Sequence, residues 1–413
     1  MKNTISKRKR NIFLILSIIG PGIITVNAGN DAGGIYTYAS IGASYGYKML
    51  WGLLLITFSL AVVQEMNARM AVVTGKGLSD LIREKFGIKW TFFAMAILFA
   101  ANFGVVLGDF AGIAASMELF GISRYISVPL VAIFIWLLVT KGSYSKVEKV
   151  FLLFTFVFFG YIISAFMAKP DWGHVFKSMA TPTLTLETGF LLAFIGMIGT
   201  TITPYMQFYL QSTIVDKKMS IKDYKYEKLD VYLGSFWGNA VSFFIIVCTA
   251  ATLYKAGISI HSAGEAASAL KPLAGQYAFI LFGAGLFGAS VLAAAIIPLS
   301  TSYAICEAFG WESGVDNRYR EAPAFFGIYT TIILISSLLI LIPGMSLMKI
   351  ILVTQQIAGI LSPIILIFMI ILVNDKRIMG KHINSKVQNI VSITTVVFIV
   401  VLSVILLFSP LFS

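Results

Sequence analysis

Long apolar stretches of about 20 residues follow one another along the whole chain and are separated by short polar segments. An α-helix of that length crosses the hydrocarbon core of a bilayer. The pattern therefore predicts an all-α integral membrane protein with eleven transmembrane helices, near residues 12–41, 46–74, 89–119, 126–140, 146–168, 186–212, 231–255, 273–307, 325–342, 347–372 and 389–410.

Two of these predicted helices are interrupted at their centres. The first carries three glycines around Asp31 in TVNAGNDAGG, and the sixth carries GMIGTTITPYMQ with Pro204 in the middle. Glycine and proline weaken a helix, and each unsatisfied backbone group costs several kcal/mol in lipid. Such breaks persist where protein or a water-filled cavity meets the freed carbonyls and amides.

The interrupted helices are the first members of two sets of five helices, at about 12–168 and about 186–372. An extra helix follows at about 389–410. Matching interruptions in two halves indicate an inverted-repeat secondary transporter, whose substrate lies near the midplane between the broken helices. We expect residues 1–413 to form one transmembrane domain with no soluble domain. Because glycine and proline also serve close helix packing, a purely structural explanation is the alternative.

Composition and charge agree with a membrane protein. Hydrophobic residues make up 58% of the chain and charged residues 12%, against about 25% charged in soluble domains. Most of the 31 lysines and arginines lie on the side of the N-terminal tail, so the net charge of +12 is a topology signal and not a nucleic-acid interface. We expect a multi-pass protein of the cell membrane with a cytoplasmic N-terminus and an external C-terminus.

The aspartate in the first interrupted helix needs a cation. An ionised carboxylate at the bilayer centre costs at least about 2.5–3.5 kcal/mol, and such a group by default marks an ion or proton pathway. A carboxylate beside exposed backbone carbonyls is the hard-oxygen ligand set of Mg²⁺, Mn²⁺ or Ca²⁺. Asp31 is therefore the first candidate ligand.

The segments GPGIITVNAGNDAGG and GYKMLWGLLLITFSLAVVQEMNARMAVVTGKGLSDLIREKFG resemble the Nramp divalent-metal transporters, and the similarity runs on through the tenth predicted helix. The resemblance implies a LeuT-type fold with helices 1 and 6 unwound at the centre. In that family an Asp-Pro-Gly-Asn motif and a Met-Pro-His motif hold the metal. Here Asp31 is followed by Ala32, Gly33 and Gly34, so the proline and the ligand asparagine are missing.

The second motif also departs from the family pattern. It reads Thr203-Pro204-Tyr205, so a hydroxyl replaces the thioether and a phenol replaces the histidine. The resemblance implies that Thr200 lends a backbone carbonyl and that Gln355 matches the glutamine of helix 10. The residues expected to hold the metal are Ala28, Asn30, Asp31, Gly34, Thr200, Thr203 and Gln355.

These departures favour a hard, hydrated ion. The loss of methionine removes the soft donor that favours late transition metals, and Gly34 and Thr203 leave more room for water. Mg²⁺ dehydrates reluctantly and is usually held by one or two carboxylates with several waters retained. The sequence thus resembles the Nramp-related magnesium transporter branch. We expect alternating-access uptake of partly hydrated Mg²⁺, with Mn²⁺ tolerated.

Proton coupling is not expected. The three histidines, His174, His261 and His382, fall in predicted loops, so the side chain best suited to proton relay is absent from the predicted helices. Two alternatives stay open: a proton-coupled manganese and iron importer of the ordinary Nramp type, and a sodium-coupled amino-acid or amine transporter. A substrate carboxylate would be repelled by Asp31, which argues against the amino-acid alternative.

Several other polar residues could act beside the ion or along its path. Glu65 and Arg69 are four residues apart and can form an ion pair on one helix face, with a structural or gating role. Asp109 resembles the acidic position of helix 3 in the family; it either serves the ion path or pairs with the second or fourth predicted helix. The residues assigned to this outer group are Glu65, Asn102, Asp109 and Tyr205.

An enzyme is not expected. The predicted helices contain neither a histidine nor a His-Glu-x-x-His or paired-aspartate signature. We expect no cofactor, since the metal is the transported substrate. The expected partners are the divalent ion and the lipid bilayer, with no nucleic acid and no obligate protein partner.

Overall fold

A computed structural model describes residues 25–26, 29–141, 159–315, 317 and 319–408. These residues form helices and connecting segments. The helices are α1 (Ala32–Tyr45), α2 (Leu50–Thr74), α3 (Leu78–Leu119), α4 (Arg124–Lys141), α5 (Phe159–Met167), α6 (Trp172–Ala180), α7 (Thr188–Thr201), α8 (Pro204–Asp216), α9 (Tyr224–Thr249), α10 (Ala263–Ser268), α11 (Lys271–Ala274), α12 (Ala278–Phe309), α13 (Pro323–Ile340), α14 (Leu347–Val373), α15 (Lys376–Met379) and α16 (Lys386–Phe408).

Nine helical stretches in the described ranges are long and apolar enough to cross a membrane. They correspond to nine of the eleven predicted spans. Of the remaining two, the first is described at residues 25–26 and 29–41 and includes most of helix Ala32–Tyr45, and the fifth is described at residues 159–168 and includes helix Phe159–Met167. The other parts of those two spans lie outside the described residues, so the total of eleven and the repeat boundaries stay predictions.

The break in the sixth predicted span is present. Helix α7 ends at Thr201 and α8 begins at Pro204. Proline has no amide N–H, and in the first turn of a helix that N–H would have no partner within the helix, so proline is tolerated there. The Thr203 hydroxyl donates to the Gly199 carbonyl at 2.9 Å and to the Thr200 carbonyl at 3.2 Å. Freed carbonyls at the break are thus satisfied by a neighbouring side chain.

A short helical segment precedes the third predicted span. Helix α3 starts at Leu78 and bends at Gly87, whose φ of 77° lies in the left-handed region, so the part after the bend begins at Ile88, next to the predicted start near residue 89. Glycine adopts that conformation without a Cβ penalty. The segment before the bend is a short amphipathic helix. Its charged residues lower the local hydropathy, so the hydropathy pattern did not predict it as part of a span.

Close backbone contacts set the position of α7. A Cβ placed on Gly199 would lie 2.0 Å from the Gln355 carbonyl oxygen, and one on Gly359 would lie 2.3 Å from the Ile195 carbonyl oxygen. Glycine at both positions lets α7 and α14 approach backbone to backbone. Helix α14 also packs against α3, and α3 packs against α12, so these helices enclose the region beside α1.

Both cysteines are buried and unpaired. Cys248 lies in α9, where its thiol contacts the Ser164 hydroxyl and the Ala269 carbonyl, and Cys306 lies in α12. Each serves packing, as their placement within apolar helices predicts.

Candidate cation site

The site is built around the first residue before α1. Asp31 is the N-cap of α1, and its Oδ1 accepts a hydrogen bond from the Gly34 amide at 2.7 Å. Its side chain is buried. A carboxylate at this position satisfies an otherwise unpaired amide and interacts favourably with the positive end of the helix dipole.

Three further polar side chains contact consecutive residues of α1. The Ala32 amide donates to Oδ1 of Asp109, from α3, at 3.4 Å. Gln355, from α14, lies against Gly33, and Thr200, from α7, lies against Gly34. Each packs where the glycine has no side chain: a Cβ on Gly33 would fall 1.7 Å from Nε2 of Gln355, and one on Gly34 would fall 3.2 Å from Oγ1 of Thr200.

These three side chains carry buried polar atoms that have no hydrogen-bond partner among the residues that the structure describes. The atoms are Oδ2 of Asp109, Oγ1 of Thr200, and both Oε1 and Nε2 of Gln355. A buried polar atom left unpaired costs about 1–3 kcal/mol. Four such atoms around one capped helix end indicate a place that a hydrated ion or its waters can satisfy.

The alternative pairing of Asp109 with the second or fourth predicted span is wrong, since its Oδ1 accepts from α1. Asp109 and Asp31 thus both bind amides in the first turn of the same helix. Two acids with different positions in the sequence converge on one helix end.

Other predicted ligands bond elsewhere. Thr203 uses its hydroxyl on the broken backbone, as described above. Asn30 donates to the Gly238 carbonyl at 3.5 Å and accepts from the Ser242 hydroxyl at 3.4 Å, so its amide is directed to α9. Ala28 lies outside the described residues.

Of the outer group, Tyr205 and Asn102 join elements together. The Tyr205 hydroxyl donates to the Thr25 carbonyl at 3.2 Å, which ties the start of α8 to the chain preceding Asp31. Asn102 donates to the Thr301 hydroxyl at 2.8 Å and links α3 to α12. These bonds fit the reading of asparagine and tyrosine as polar links between helices.

Glu65 is part of a separate network. Its carboxylate pairs with Arg69 at 3.0 Å, and it also accepts from the Gln388 amide and the Tyr224 hydroxyl. Arg69 donates in turn to the His382 carbonyl at 2.7 Å. The predicted ion pair is therefore present, and it joins α2 to α9 and to the segment before α16.

Sequence reasoning missed a methionine beside the break. The side chain of Met206 packs against Gly29, such that a Cβ on Gly29 would fall 2.1 Å from its Cε and 3.7 Å from the Thr200 carbonyl oxygen. Met206 lies in the first turn of α8, three residues after the N-cap Thr203, and its nearness in sequence to the Thr-Pro-Tyr motif was the available signal.

The histidines lie away from these residues. His261 and His382 are in connecting segments, as predicted. His174 lies in the short helix α6 and not in a loop, which corrects its predicted conformation but leaves it outside the nine membrane-spanning stretches of the described ranges.

A polar cavity of about 160 Å³ lies between α8 and α12. Its lining includes Ser212, Asp216, Ser300 and Tyr303. The Ser300 hydroxyl donates to the Tyr205 carbonyl at 3.5 Å, so the wall of the cavity reaches the break.

Comparison with known proteins places these features in a family context. The model of the natural resistance-associated macrophage protein-like (Nramp) family matches residues 22–409. The chain is 27% identical to the "Divalent metal cation transporter MntH" of Bacillus subtilis, over 95% of this chain and 92% of that protein. It is 23% identical to the protein of the same name from Caldanaerobacter subterraneus, over 98% of this chain and 97% of that protein.

Solved structures confirm the predicted fold class. The manganese transporter of Eremococcus coleocola, in complex with an aromatic bis-isothiourea compound, superposes with a TM-score of 0.75 at 17% identity, over 96% of this chain and 87% of that one. MhsT in complex with L-phenylalanine, a LeuT-fold transporter, superposes with a TM-score of 0.61 at 14% identity, over 94% and 98%.

Proposed function

The chain belongs to the Nramp family of membrane transporters, and from that premise we propose that it carries divalent metal cations across the cell membrane by alternating access. The two halves of the broken pair, α7 and α8, meet at residues that flank the site, so rearrangement at the break would change access to the ion. The polar cavity between α8 and α12 is the proposed route on one side. The proposed orientation keeps the N-terminus in the cytoplasm.

One observation carries the proposal. Asp31 caps α1 among four buried polar atoms that have no partner within the described part of the chain, contributed by Asp109, Thr200 and Gln355. All the atoms in this set are oxygen except one amide nitrogen. The arrangement supports binding of a hard cation through its retained waters, since those waters would donate to the oxygens.

We propose Mg²⁺ as the principal substrate. Asp31 offers one carboxylate and Asp109 a second, and Mg²⁺ is commonly held by one or two carboxylates with waters filling the remaining positions. The thioether of the family's Met-Pro-His motif is absent because Thr203 stands at that position, and the Thr203 hydroxyl donates to the backbone. This chemistry supports the magnesium branch of the family.

We propose further that transport is not coupled to protons. None of the three histidines lies in a membrane-spanning helix of the described ranges. The membrane potential is then the driving force, and it contributes about 4.6 kcal/mol per 100 mV for two charges.

Mn²⁺ transport is the second candidate, and Met206 favours it. Its side chain packs within the break, against Gly29 and near the Thr200 carbonyl. A thioether is a softer donor than oxygen and would improve binding of transition metals. The Eremococcus coleocola protein, whose fold this chain shares, is described as a manganese transporter.

The deciding experiment measures Mg²⁺ and Mn²⁺ flux into proteoliposomes with the native chain and with Asp31→Asn. Asparagine retains the capping oxygen and removes the charge, so the helix start is preserved. We expect Mg²⁺ flux in the native chain, its loss in the variant, and competition of millimolar Mg²⁺ against Mn²⁺. Mn²⁺ flux that millimolar Mg²⁺ does not inhibit would exclude Mg²⁺ as the substrate.

A further inference from the structure

An apolar groove of about 300 Å³ runs along the outside of the helix bundle. Helices α2, α7 and α16 form its walls, with Trp51, Leu55, Phe194, Ile198 and Phe398 among the lining side chains. All three helices belong to membrane-spanning stretches. The groove therefore opens toward hydrocarbon and not toward water.

The groove offers shape but few polar contacts. The hydroxyl of Ser59 donates to the Leu55 carbonyl at 3.1 Å, and that of Thr395 donates to the Val391 carbonyl at 2.8 Å. These two hydroxyls are also 2.7 Å from each other. Because few polar atoms line it and the hydroxyls of Ser59 and Thr395 bond to the protein, the groove favours a hydrocarbon chain over a headgroup.

Its length matches one leaflet. From Trp51 near the start of α2 to Ser59 the helix rises about 12 Å, and one leaflet contributes about half of a hydrocarbon core of about 30 Å. The Trp51 indole donates to the Thr183 carbonyl at 3.2 Å, outside the span of α7, as tryptophan does at a membrane boundary. The groove thus begins at the boundary and runs toward the midplane.

We propose that this groove binds one acyl chain of a bilayer lipid. The chain would lie against Phe194, Ile198 and Ile202. These residues belong to, or directly follow, the half-helix that carries Thr200. An acyl chain in the groove would therefore support α7 from the lipid side at the level of the break.

The proposal is tested by fluorescence quenching with lipids whose acyl chains are brominated. The reporter is a protein variant that keeps Trp51 as its single tryptophan and has phenylalanine at the other tryptophan positions. Trp51 is 7% exposed, whereas Trp237 on α9 is 42% exposed and serves as the single-tryptophan control. Because a groove-bound acyl chain contacts the indole directly, we expect Trp51 emission to fall by as large a factor as that of the exposed Trp237.

A groove-filling variant provides the matched comparison. Thr394 lines the groove, and its neighbour Ile393 does not. We expect Thr394→Phe to restore most of the Trp51 emission and Ile393→Phe to leave the quenching unchanged. The second measurement is the unfolding temperature. Lipid added to delipidated protein should raise the unfolding temperature of the native protein more than that of the Thr394→Phe variant.

Two results would overturn the proposal. In one, Trp51 keeps its emission in brominated lipid while Trp237 is quenched. In the other, Trp51 is quenched only when the protein is diluted below one molecule per vesicle. That result would mean that a second copy of the protein covers the groove. No divalent cation is needed in the measurement, so its outcome is independent of the substrate proposed above.

Discussion

At the scale of single residues, Asp31 has two separable duties. Its oxygen caps α1 through the Gly34 amide, and its charge is the proposed attraction for the cation. A substitution that keeps the oxygen and one that removes it should therefore behave differently.

Asp31→Ala should lower the free energy of unfolding by about 1 kcal/mol through loss of the cap, whereas Asp31→Asn should leave it nearly unchanged. Thermal unfolding with and without Mg²⁺ measures both duties. In the native chain an ion at 100 times its Kd should add about 2.7 kcal/mol, and neither variant should respond. An Mg²⁺ response in Asp31→Asn would show that the charge is not required.

The sulfur of Met206 is the second single-residue feature, since it could act as a soft ligand for transition metals. Met206→Leu keeps the volume and removes the sulfur, so we expect weaker Mn²⁺ and Cd²⁺ binding with Mg²⁺ binding unchanged. Isothermal titration with the three ions on native and variant protein measures the difference. Equal losses for all three ions would indicate a packing role only.

From the sequence alone we could propose site residues whose role depends on residue type and position. Asp31, Thr200 and Gln355 could be named because charge in a broken apolar helix and family resemblance point to them. The direction of a side chain could not be predicted. Asn30 bonds Gly238, a residue 208 positions away, and that contact depends on how α9 packs.

At the scale of elements, backbone contacts between α7 and α14 fix the frame of the site. Helix positions followed from hydrophobic length, because lipid makes unsatisfied backbone costly. The short helical segment before the bend of α3 at Gly87 was not predicted, since it buries Leu78, Leu81 and Ile82 but carries charged residues between them and so has no long apolar signal.

Gly199→Ala should disrupt that frame. The added methyl would meet the Gln355 carbonyl oxygen at 2.0 Å, and a rigid backbone cannot move aside. We expect a loss of about 3 kcal/mol or more, seen as a lower unfolding temperature and a smaller monodisperse fraction.

Gly327→Ala, in α13, is the matched control. A Cβ there meets no other described atom within 4 Å. Helix propensity then predicts a gain of up to about 1 kcal/mol. Equal behaviour of the two variants would mean that the α7–α14 contact does not limit stability.

At the scale of the whole molecule, the Glu65–Arg69 network joins distant parts of the chain. Gln388 and Tyr224 bond the carboxylate, and Asn384 accepts from the guanidinium at 2.5 Å. Removing one partner of a buried ion pair leaves the other charge uncompensated.

Glu65→Gln and Arg69→Met should each cost about 3–5 kcal/mol, and the double variant should cost clearly less than their sum. Chemical unfolding of the three variants gives the coupling. The exposed pair Lys76–Glu84, 2.5 Å apart, serves as the control, with an expected coupling below about 1 kcal/mol. Additive losses at Glu65 and Arg69 would indicate that the pair contributes little beyond its separate bonds.

The driving force also belongs to this scale. With an inside-negative potassium diffusion potential, Mg²⁺ flux should rise with the potential while a luminal pH dye stays constant, because two charges gain about 4.6 kcal/mol per 100 mV. Metal-dependent acidification of the lumen would instead establish proton coupling.

The burial of Cys248 and Cys306 makes site-directed labelling practical on the native background. Maleimide and methanethiosulfonate reagents attack accessible thiolates, and neither native thiol is accessible. A cysteine introduced at Ser212 or Ser300 along the polar cavity would therefore report solvent access by itself, and its labelling rate under each ionic condition would map which side of the membrane the pathway faces.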